Sequence, residues 1–293
     1  MTDQTAPSRR IKELEVMVAD VVSETPDTTT LVLFTGNDRL DYLAGHFLTI
    51  DPHQFDGLER FIAFFEDVKG RKEPARAYSM ASAPHEKYLA TTIKEERYVS
   101  GTTKYPPLLS PLLVKRMARG MRLVVTGFTG PYTLPEDIEA RTDHVVHVCA
   151  GSGIVPNFSI LKHALLHHPK VRHTLVYSNK TWGEIIFRDE LEKLERRHPS
   201  SLKVLHTLTR DEEKPGRHPG VRSGRVKTAL LHEAIPDPSA CIVYACGPAI
   251  SGWDRKAARE AGVAPAARFL ETAVASLIEL GVPDERIKKE SYG

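Results

Sequence analysis

The sequence predicts two domains of different class: an N-terminal antiparallel β-barrel over residues 10–138 and a C-terminal α/β domain with a parallel sheet over residues 143–293. Three observations carry this. The chain of 293 residues is about twice the length of a common domain. Its first half is a run of short strand-like stretches broken by turn residues, the rhythm of a small barrel. Its second half alternates compact apolar runs with amphipathic ones, the rhythm of a parallel sheet covered by helices on both faces. The rhythm changes within Pro135–Asp143.

In the first half, Leu14–Val22 and Thr29–Phe34 are apolar stretches separated by the turn-prone Ser23–Asp27. Leu31, Val32, Leu33 and Phe34 suit a strand by propensity and shape. Gly45–Ile50 is a further short strand. Gly57–Val68 carries Leu58, Phe61, Ile62 and Phe65 as the apolar positions of a short amphipathic helix. Arg76–Ser79 and Leu89–Lys94 are strands with a turn at Ser82–Pro84. Met121–Thr126 is the last strand of this half, and Gly130-Pro131 closes it.

In the second half, the strand Val145–Cys149 runs into Gly151-Ser152-Gly153, and Pro156–His167 has a helical pattern with its proline suited to a first turn. A strand at Arg172–Ser178, a charged helix at Phe187–Arg196 and a strand at Leu202–Leu208 follow. The polar stretch Arg210–Gly224 reads as an exposed loop. Gly224–His232 is a short helix, Cys241–Ala245 a strand and Ala266–Leu280 a long helix.

Composition excludes several functions. Forty Lys+Arg against 38 Asp+Glu leave a formal charge of +2, which gives no footprint for nucleic acid. No apolar run reaches the ~18 residues of a membrane helix, and Met1–Arg10 is too polar for a signal peptide. Three cysteines rule out a disulfide scaffold and a self-contained four-cysteine metal site. The expectation is a soluble cytoplasmic protein. His144, His147, His163, His167, His168 and His173 cluster in sequence, but no H-E-x-x-H spacing is present. They read as ordinary helix-surface histidines, and no metal is expected.

Three short motifs carry chemistry. Ala150-Gly151-Ser152-Gly153-Ile154 lies between a strand and a helix, where two glycines permit a tight turn and a phosphate can approach the backbone. Pro156 stands where a G-x-G-x-x-G loop has its third glycine, so a turn needed only for close strand–helix geometry is the alternative. Cys246-Gly247-Pro248 ends a strand, at the edge where open sheets bind ligands. Taken alone, Cys246 reads as an inert buried thiol. Cys241 lies five residues away, on the opposite strand face, which argues against joint metal ligation. Arg76-Ala77-Tyr78-Ser79 offers a phosphate partner, a ring to stack and a hydroxyl, or simply an exposed strand end.

In order, these motifs resemble the ferredoxin–NADP⁺ reductase superfamily, particularly bacterial flavin reductase components that serve oxygenases. Arg76-Ala77-Tyr78-Ser79 is similar to its R-x-Y-S flavin motif. Gly151-Ser152-Gly153-Ile154-Val155-Pro156 is similar to its G-T-G-I-x-P loop, Cys246-Gly247-Pro248 to its C-G-P motif, and Glu290-Ser291-Tyr292 to its C-terminal acidic–x–aromatic motif.

The resemblance implies a flavin-binding barrel, a nucleotide-binding α/β domain, and hydride transfer from NAD(P)H to flavin followed by single-electron delivery. It implies Arg76 at the flavin phosphate, Tyr78 on one face of the isoalloxazine, Ser79 near its N5, and Ser110 opening a phosphate-cradling helix. Gly151, Gly153 and Gly247 would line the nucleotide, with Cys246 and Glu290 near the reacting atoms. Tyr292 would cover the second flavin face. FAD is favoured, although FMN also occurs in the family. Lys180 and Arg210, each following a nucleotide-domain strand, favour NADPH over NADH, with Asp211 beside Arg210 against it. The stretch Gly101–Ser110, with Pro106-Pro107, is longer than the family's G-x-x-S loop, and Gly252–Pro265 with Trp253 reads as an insertion. The cysteines do not form the C-x₄-C-x₂-C of a fused [2Fe–2S] domain. The expected acceptor is therefore separate: a ferredoxin, a flavodoxin or an oxygenase subunit. The alternatives are direct reduction of a small, ferric or haem acceptor, or a regulatory subunit without turnover.

Overall fold

The structure, a computed structural model, describes residues 13–36, 40–100, 105–211 and 220–292. It comprises two compact units, one running to Thr133 apart from residues 24–26, the other from Leu134 onward.

The first unit holds six strands: β1 (Leu14–Thr25), β2 (Thr28–Phe34), β3 (Phe47–Ile50), β4 (Arg76–Ser79), β5 (Leu89–Lys94) and β6 (Arg122–Thr129). Their order is β4-β3-β6-β1-β2-β5. An antiparallel bridge between Met80 and Thr91 joins the two ends of this order, so the sheet curls into a barrel. Inward positions alternate along each strand. Val16, Val18, Leu31, Leu33, Leu48, Ile50, Leu123 and Val125 are all nearly inaccessible. The first turn is tighter than Ser23–Asp27: β1 continues to Thr25, and only Pro26-Asp27 turns the chain. Asp27 holds this corner by accepting from Lys94 Nζ at 2.7 Å and from the Thr28 hydroxyl.

Helix α1 (Glu59–Lys69) follows a 3₁₀ turn that contains Leu58. Leu58, Ile62 and Phe65 form its buried face at the i, i+4, i+7 spacing. Phe61 does not join them: it is 58% exposed, as is Phe64. The buried arc is narrow, and Phe61 lies just past its edge. Helix α2 (Ser110–Lys115) buries Ser110, Leu113 and Val114. Residues 101–104 of the long loop expected before it lie outside the described residues.

The second unit begins with α3 (Ile138–Arg141). There follow β7 (His144–Ala150), α4 (Ile154–His167), β8 (Arg172–Asn179), α5 (Arg188–Arg197), β9 (Leu202–Leu208), β10 (Val221–Ser223), α6 (Thr228–Ala234), β11 (Ile242–Pro248), α7 (Gly252–Glu260), α8 (Phe269–Leu280) and β12 (Ile287–Tyr292). The sheet is parallel, in the order β10-β9-β8-β7-β11-β12. Strands added after β7 grow outward on one side through β10, then on the other through β11 and β12. The order therefore reverses between β7 and β11, and such a switch point opens a crevice at the carboxyl ends of the two strands.

Several expectations need correction. The stretch Arg210–Gly224 is not wholly loop. Residues 212–219 lie outside the described residues, but Val221–Ser223 pair with β9 as a short edge strand, with Val221 buried. Gly224 takes a left-handed φ of +95° after this strand, so the next helix starts only at Thr228. The long helix starts at Phe269 instead of Ala266. The stretch Gly252–Pro265, which the sequence marks only as an insertion, forms helix α7 over Gly252–Glu260. It begins with a capping box in which the Ser251 hydroxyl accepts from the Asp254 amide while the Asp254 carboxylate accepts from the Ser251 amide. Finally, His144, His147 and His173 are buried on β7 and β8 and do not lie on helix surfaces. No helix among the described residues is long and apolar enough to cross a membrane.

Leu48 sits at the centre of the barrel with no exposed surface. Leu48→Ala is expected to destabilise the first unit by about 2–5 kcal/mol, read as a lower urea midpoint; a loss below about 1 kcal/mol would contradict its place in the core.

Candidate functional site

At the switch point, Gly151–Gly153 form one 3₁₀ turn between β7 and α4. Gly151 has φ +53° with open space where a side chain would stand. Gly153 is required by contact. A Cβ there would come within 2.2 Å of the Cys246 carbonyl oxygen and 2.9 Å of the Gly247 nitrogen. Gly247 is confined in turn, since its Cβ would lie 2.6 Å from the Phe269 ring. The two glycine motifs thus meet backbone to backbone. Pro156 is the third residue of α4, where the helix needs no amide donor.

The turn's carbonyls are held from the protein side. The Tyr177 hydroxyl donates to the Gly151 carbonyl at 2.9 Å, and the Asn157 side-chain amide donates to the Gly153 carbonyl at 2.9 Å. In a helical turn, carbonyls and amides point in opposite directions. The start of a helix leaves its first amides without intrahelical partners, an arrangement suited to an anionic group.

Cys149, Cys246 and Glu290 stand side by side across β7, β11 and β12. Registered partners on parallel strands share a face, so the three side chains line one row near the carboxyl edge. Burial pushes the Cys246 thiol well up, and neighbouring Cys149 and Glu290 push the same way. Cys246 is therefore a neutral thiol and no nucleophile. Burial also raises Glu290 above the ordinary glutamate value. Ser291 and Tyr292 register with Gly247 and Pro248, which places Tyr292 on the edge strand. Cys241 precedes β11, and burial pushes its thiol to about 11.

Lys180 and Arg210 continue beyond β8 and β9. The Arg210 amide donates to the Lys180 carbonyl at 2.8 Å, which sets the two exposed cations on adjacent strands at the same edge. Lys180 Nζ lies 3.9 Å from Glu184, and Asp211 accepts from the Trp182 amide. Two residues at this edge escaped the sequence reading. Asn179 ends β8 with a buried side-chain nitrogen, and His206 on β9 has a buried Nδ1. Neither atom has a hydrogen-bond partner among the described residues. Orphaned polar atoms of this kind fit an edge that takes a polar ligand. Nothing in the sequence separates them from other strand-end polar residues.

In the first unit, Arg76, Tyr78 and Ser79 all lie on β4. Alternation sets Arg76 and Tyr78 on one side of the strand and Ser79, which is buried, on the other. Arg76 is oriented by its own connector: its guanidinium donates to Glu73 at 2.7 Å and to the Pro74 carbonyl at 2.8 Å. These bonds use two of five donors, so a phosphate remains within its capacity. Burial opposes ionisation of Glu73, but hydrogen bonds from Lys69 and Arg76 outweigh it and hold the carboxyl below its ordinary value. Burial pushes the Tyr78 phenol up. Ser110 opens α2, and its hydroxyl accepts from the Glu96 amide at 3.1 Å. A separate cavity of about 360 Å³, lined by Phe34, Leu40, Tyr42, Pro84, His85 and Leu89 among others, contains none of these residues.

Because the raised Glu290 carboxyl binds its proton more tightly in the folded state, its contribution to stability is full below about pH 4.5 and fades as pH climbs through the folded value. Glu290→Gln is neutral at every pH. Its Tm is expected to exceed that of wild type at pH 7–8 and to converge with it towards pH 4; a Tm difference independent of pH would count against a raised Glu290.

Residues 147–250 match the model of the oxidoreductase NAD-binding domain. The ferredoxin reductase component of 3-ketosteroid-9-alpha-monooxygenase from Mycolicibacterium smegmatis is 32% identical over 216 residues, 71% of this chain and 52% of the relative. The NADH-cytochrome b5 reductase 2 of Ajellomyces capsulatus is 29% identical over 69% of this chain and 62% of its own length. The chain thus spans between about half and three fifths of these relatives. Among solved structures, the FAD/NAD-binding domain of nitric oxide dioxygenase from Vibrio cholerae shares the fold, with a TM-score of 0.70 at 22% identity over 97% of this chain and 100% of that one. With an antiparallel sheet before a parallel NAD-binding sheet, the chain resembles the oxidoreductases of the ferredoxin–NADP⁺ reductase superfamily, among them the ferredoxin reductase components of bacterial oxygenases.

Proposed function

We propose that the protein takes a hydride from a reduced nicotinamide nucleotide onto bound flavin and releases the electrons singly to a separate ferredoxin or oxygenase component. The observation that carries this is the switch-point crevice, where the glycine turn, the Cys246–Gly247 backbone and Cys149 of the matched NAD-binding segment converge, with Glu290 of β12 completing the row beside Cys246. When bound, flavin supplies a two-electron acceptor that gives up electrons one at a time.

The chain's own residues have the following proposed tasks. The amides of the Gly151–Gly153 turn bind the nucleotide diphosphate, and Gly247 lets that backbone approach. Cys246 offers the nicotinamide a small, uncharged surface that excludes water. Glu290, half-buried and ready to hold a proton, serves proton movement at its carboxylate. Arg76 binds the flavin phosphate, Tyr78 packs on the ring, Ser79 hydrogen-bonds near N5, and Ser110 opens the turn that receives the diphosphate. Tyr292 covers the remaining ring face. FAD is the proposed flavin, within domain limits of 10–138 for the flavin domain and 143–293 for the nucleotide domain. The proposed compartment is the cytoplasm, consistent with three unpaired, buried cysteines. A separate acceptor is supported by the Mycolicibacterium relative, which is itself named as a component.

NADPH is the proposed donor. The support is the adjacency of Lys180 and Arg210, two exposed cations suited to a 2′-phosphate. The name of the Ajellomyces relative points to NADH for that protein.

Reconstitution with FAD should give a yellow protein whose flavin bleaches on rapid mixing with NAD(P)H, and Cys246→Ala should slow that step by about tenfold or more. A chain that binds neither FAD nor FMN would sink the proposal, and a wild-type rate in Cys246→Ala would remove Cys246 from the reacting centre. Replacing Lys180 and Arg210 by Gln should raise KM for NADPH by roughly tenfold while leaving that for NADH within twofold. Equal effects on both donors would rule out a 2′-phosphate site.

A further inference from the structure

Beneath the glycine turn runs a chain of buried polar groups that the proposed mechanism does not use. Asn157, the fourth residue of α4, donates from Nδ2 to the Gly153 carbonyl at 2.9 Å. Its Oδ1 lies 2.8 Å from His147 Nδ1, and His147 Nε2 lies 3.2 Å from His173 Nδ1. Asn157 and His147 have no exposed surface, and His173 has 2%.

The hydrogen-bond roles follow from one end. Asn157 spends its amide protons on the carbonyl side, so its oxygen faces His147 and must accept. His147 therefore carries its proton on Nδ1, which leaves Nε2 as an acceptor for the Nδ1–H of His173. The last atom, His173 Nε2, is a buried lone pair without a hydrogen-bond partner among the described residues. Burial lowers both imidazoles, His147 to about 4, so both rings are neutral at pH 7 and the directional chain is intact there. His147 also stacks between the His173 and Tyr244 rings, at 5.5 and 5.8 Å between centroids.

Such a chain is an unusual choice for this place. Val145 and Leu175, which share the His147 and His173 faces of β7 and β8, are fully buried. Apolar residues would fill the same volume without the cost of burying three polar side chains. What the polar chain does that an apolar one cannot is give this helix-capping carbonyl a second donor, from a side chain, beside its backbone bond. It ends on Gly153, the residue that touches the Cys246 carbonyl and has no room for a side chain.

We propose that Asn157, oriented by His147 and His173, is a positioning residue for nucleotide binding: it pins the Gly153 carbonyl inward, so that the amides of the turn face the nucleotide diphosphate and the turn stays seated against Cys246. The proposal rests on the reading of this turn as the NAD(P)H site. Asn157 acts through the turn and touches no substrate.

The test is a titration of NADH and NADPH into the full chain, with Asn157→Leu, His147→Phe and the double variant beside wild type. Asn157→Leu should weaken binding of the preferred nucleotide by about tenfold and His147→Phe by about threefold. The double variant should be no weaker than Asn157→Leu within twofold, because both changes release the same carbonyl. Misfolding would reduce the titration amplitude and leave the Kd of the remaining folded chain unchanged. Independent, multiplying effects in the double variant, or a wild-type Kd in Asn157→Leu, would overturn the proposal. A wild-type chain that binds neither nucleotide would defeat the functional reading and this role with it. Nitrogen-15 NMR of labelled histidines needs no variant: His147 and His173 should both appear as neutral Nδ1–H tautomers at pH 7, and an Nε2–H tautomer at His147 would overturn the relay even if nucleotide binds.

Discussion

The second unit is organised around one contact, the backbone of Gly153 against the carbonyl of Cys246. Two strands that are neighbours in space but remote in sequence can bring their terminal loops this close only if the turn carries no side chain where it meets the other strand's backbone. The constraint propagates outward. It demands glycine at 153, and it presses β11 against the turn. A second constraint acts at Gly247, which must remain bare for the Phe269 ring of α8. A substitution at any one of these places would push on the others, because a close-packed interior transmits displacement instead of absorbing it.

The first unit has its own organising group, and it is electrostatic. The carboxylate of Glu73 is almost wholly buried and holds Lys69, at the end of α1, together with Arg76, at the start of β4. The connector that carries α1 is thereby fastened to the strand with the proposed flavin residues. A carboxylate at this depth remains charged only because two cations meet it. The same pairing keeps the Arg76 side chain ordered before any ligand arrives.

Much of this was legible in the sequence because it depends on local pattern. The alternation of Leu31 and Leu33 with Val32 shows a strand, and the Gly151–Pro156 run between an apolar strand and a helix shows a turn with a purpose. The failures share a different cause. β10 is an edge strand whose residues are mostly polar, since one side has no strand to cover it, and its polarity reads as loop. Polarity alone puts the buried histidines on the surface; the hydrogen bonds that make His147 tolerable inside come from Asn157 and His173, 10 and 26 residues away in sequence. Phe61 is the opposite case, an aromatic side chain that local pattern puts inside and the fold leaves exposed. The orphaned nitrogens of Asn179 and His206 are properties of assembled strands and have no counterpart in a linear pattern.

All three cysteines are buried, and burial holds each thiol in its protonated form. Oxidation of cysteine begins at the thiolate and requires access. The chain therefore keeps Cys149 and Cys246 beside a proposed electron-transfer centre with little exposure to peroxide or disulfide exchange. Its sulfur chemistry is quiet by construction: a change in redox poise finds no accessible thiolate at any of the three.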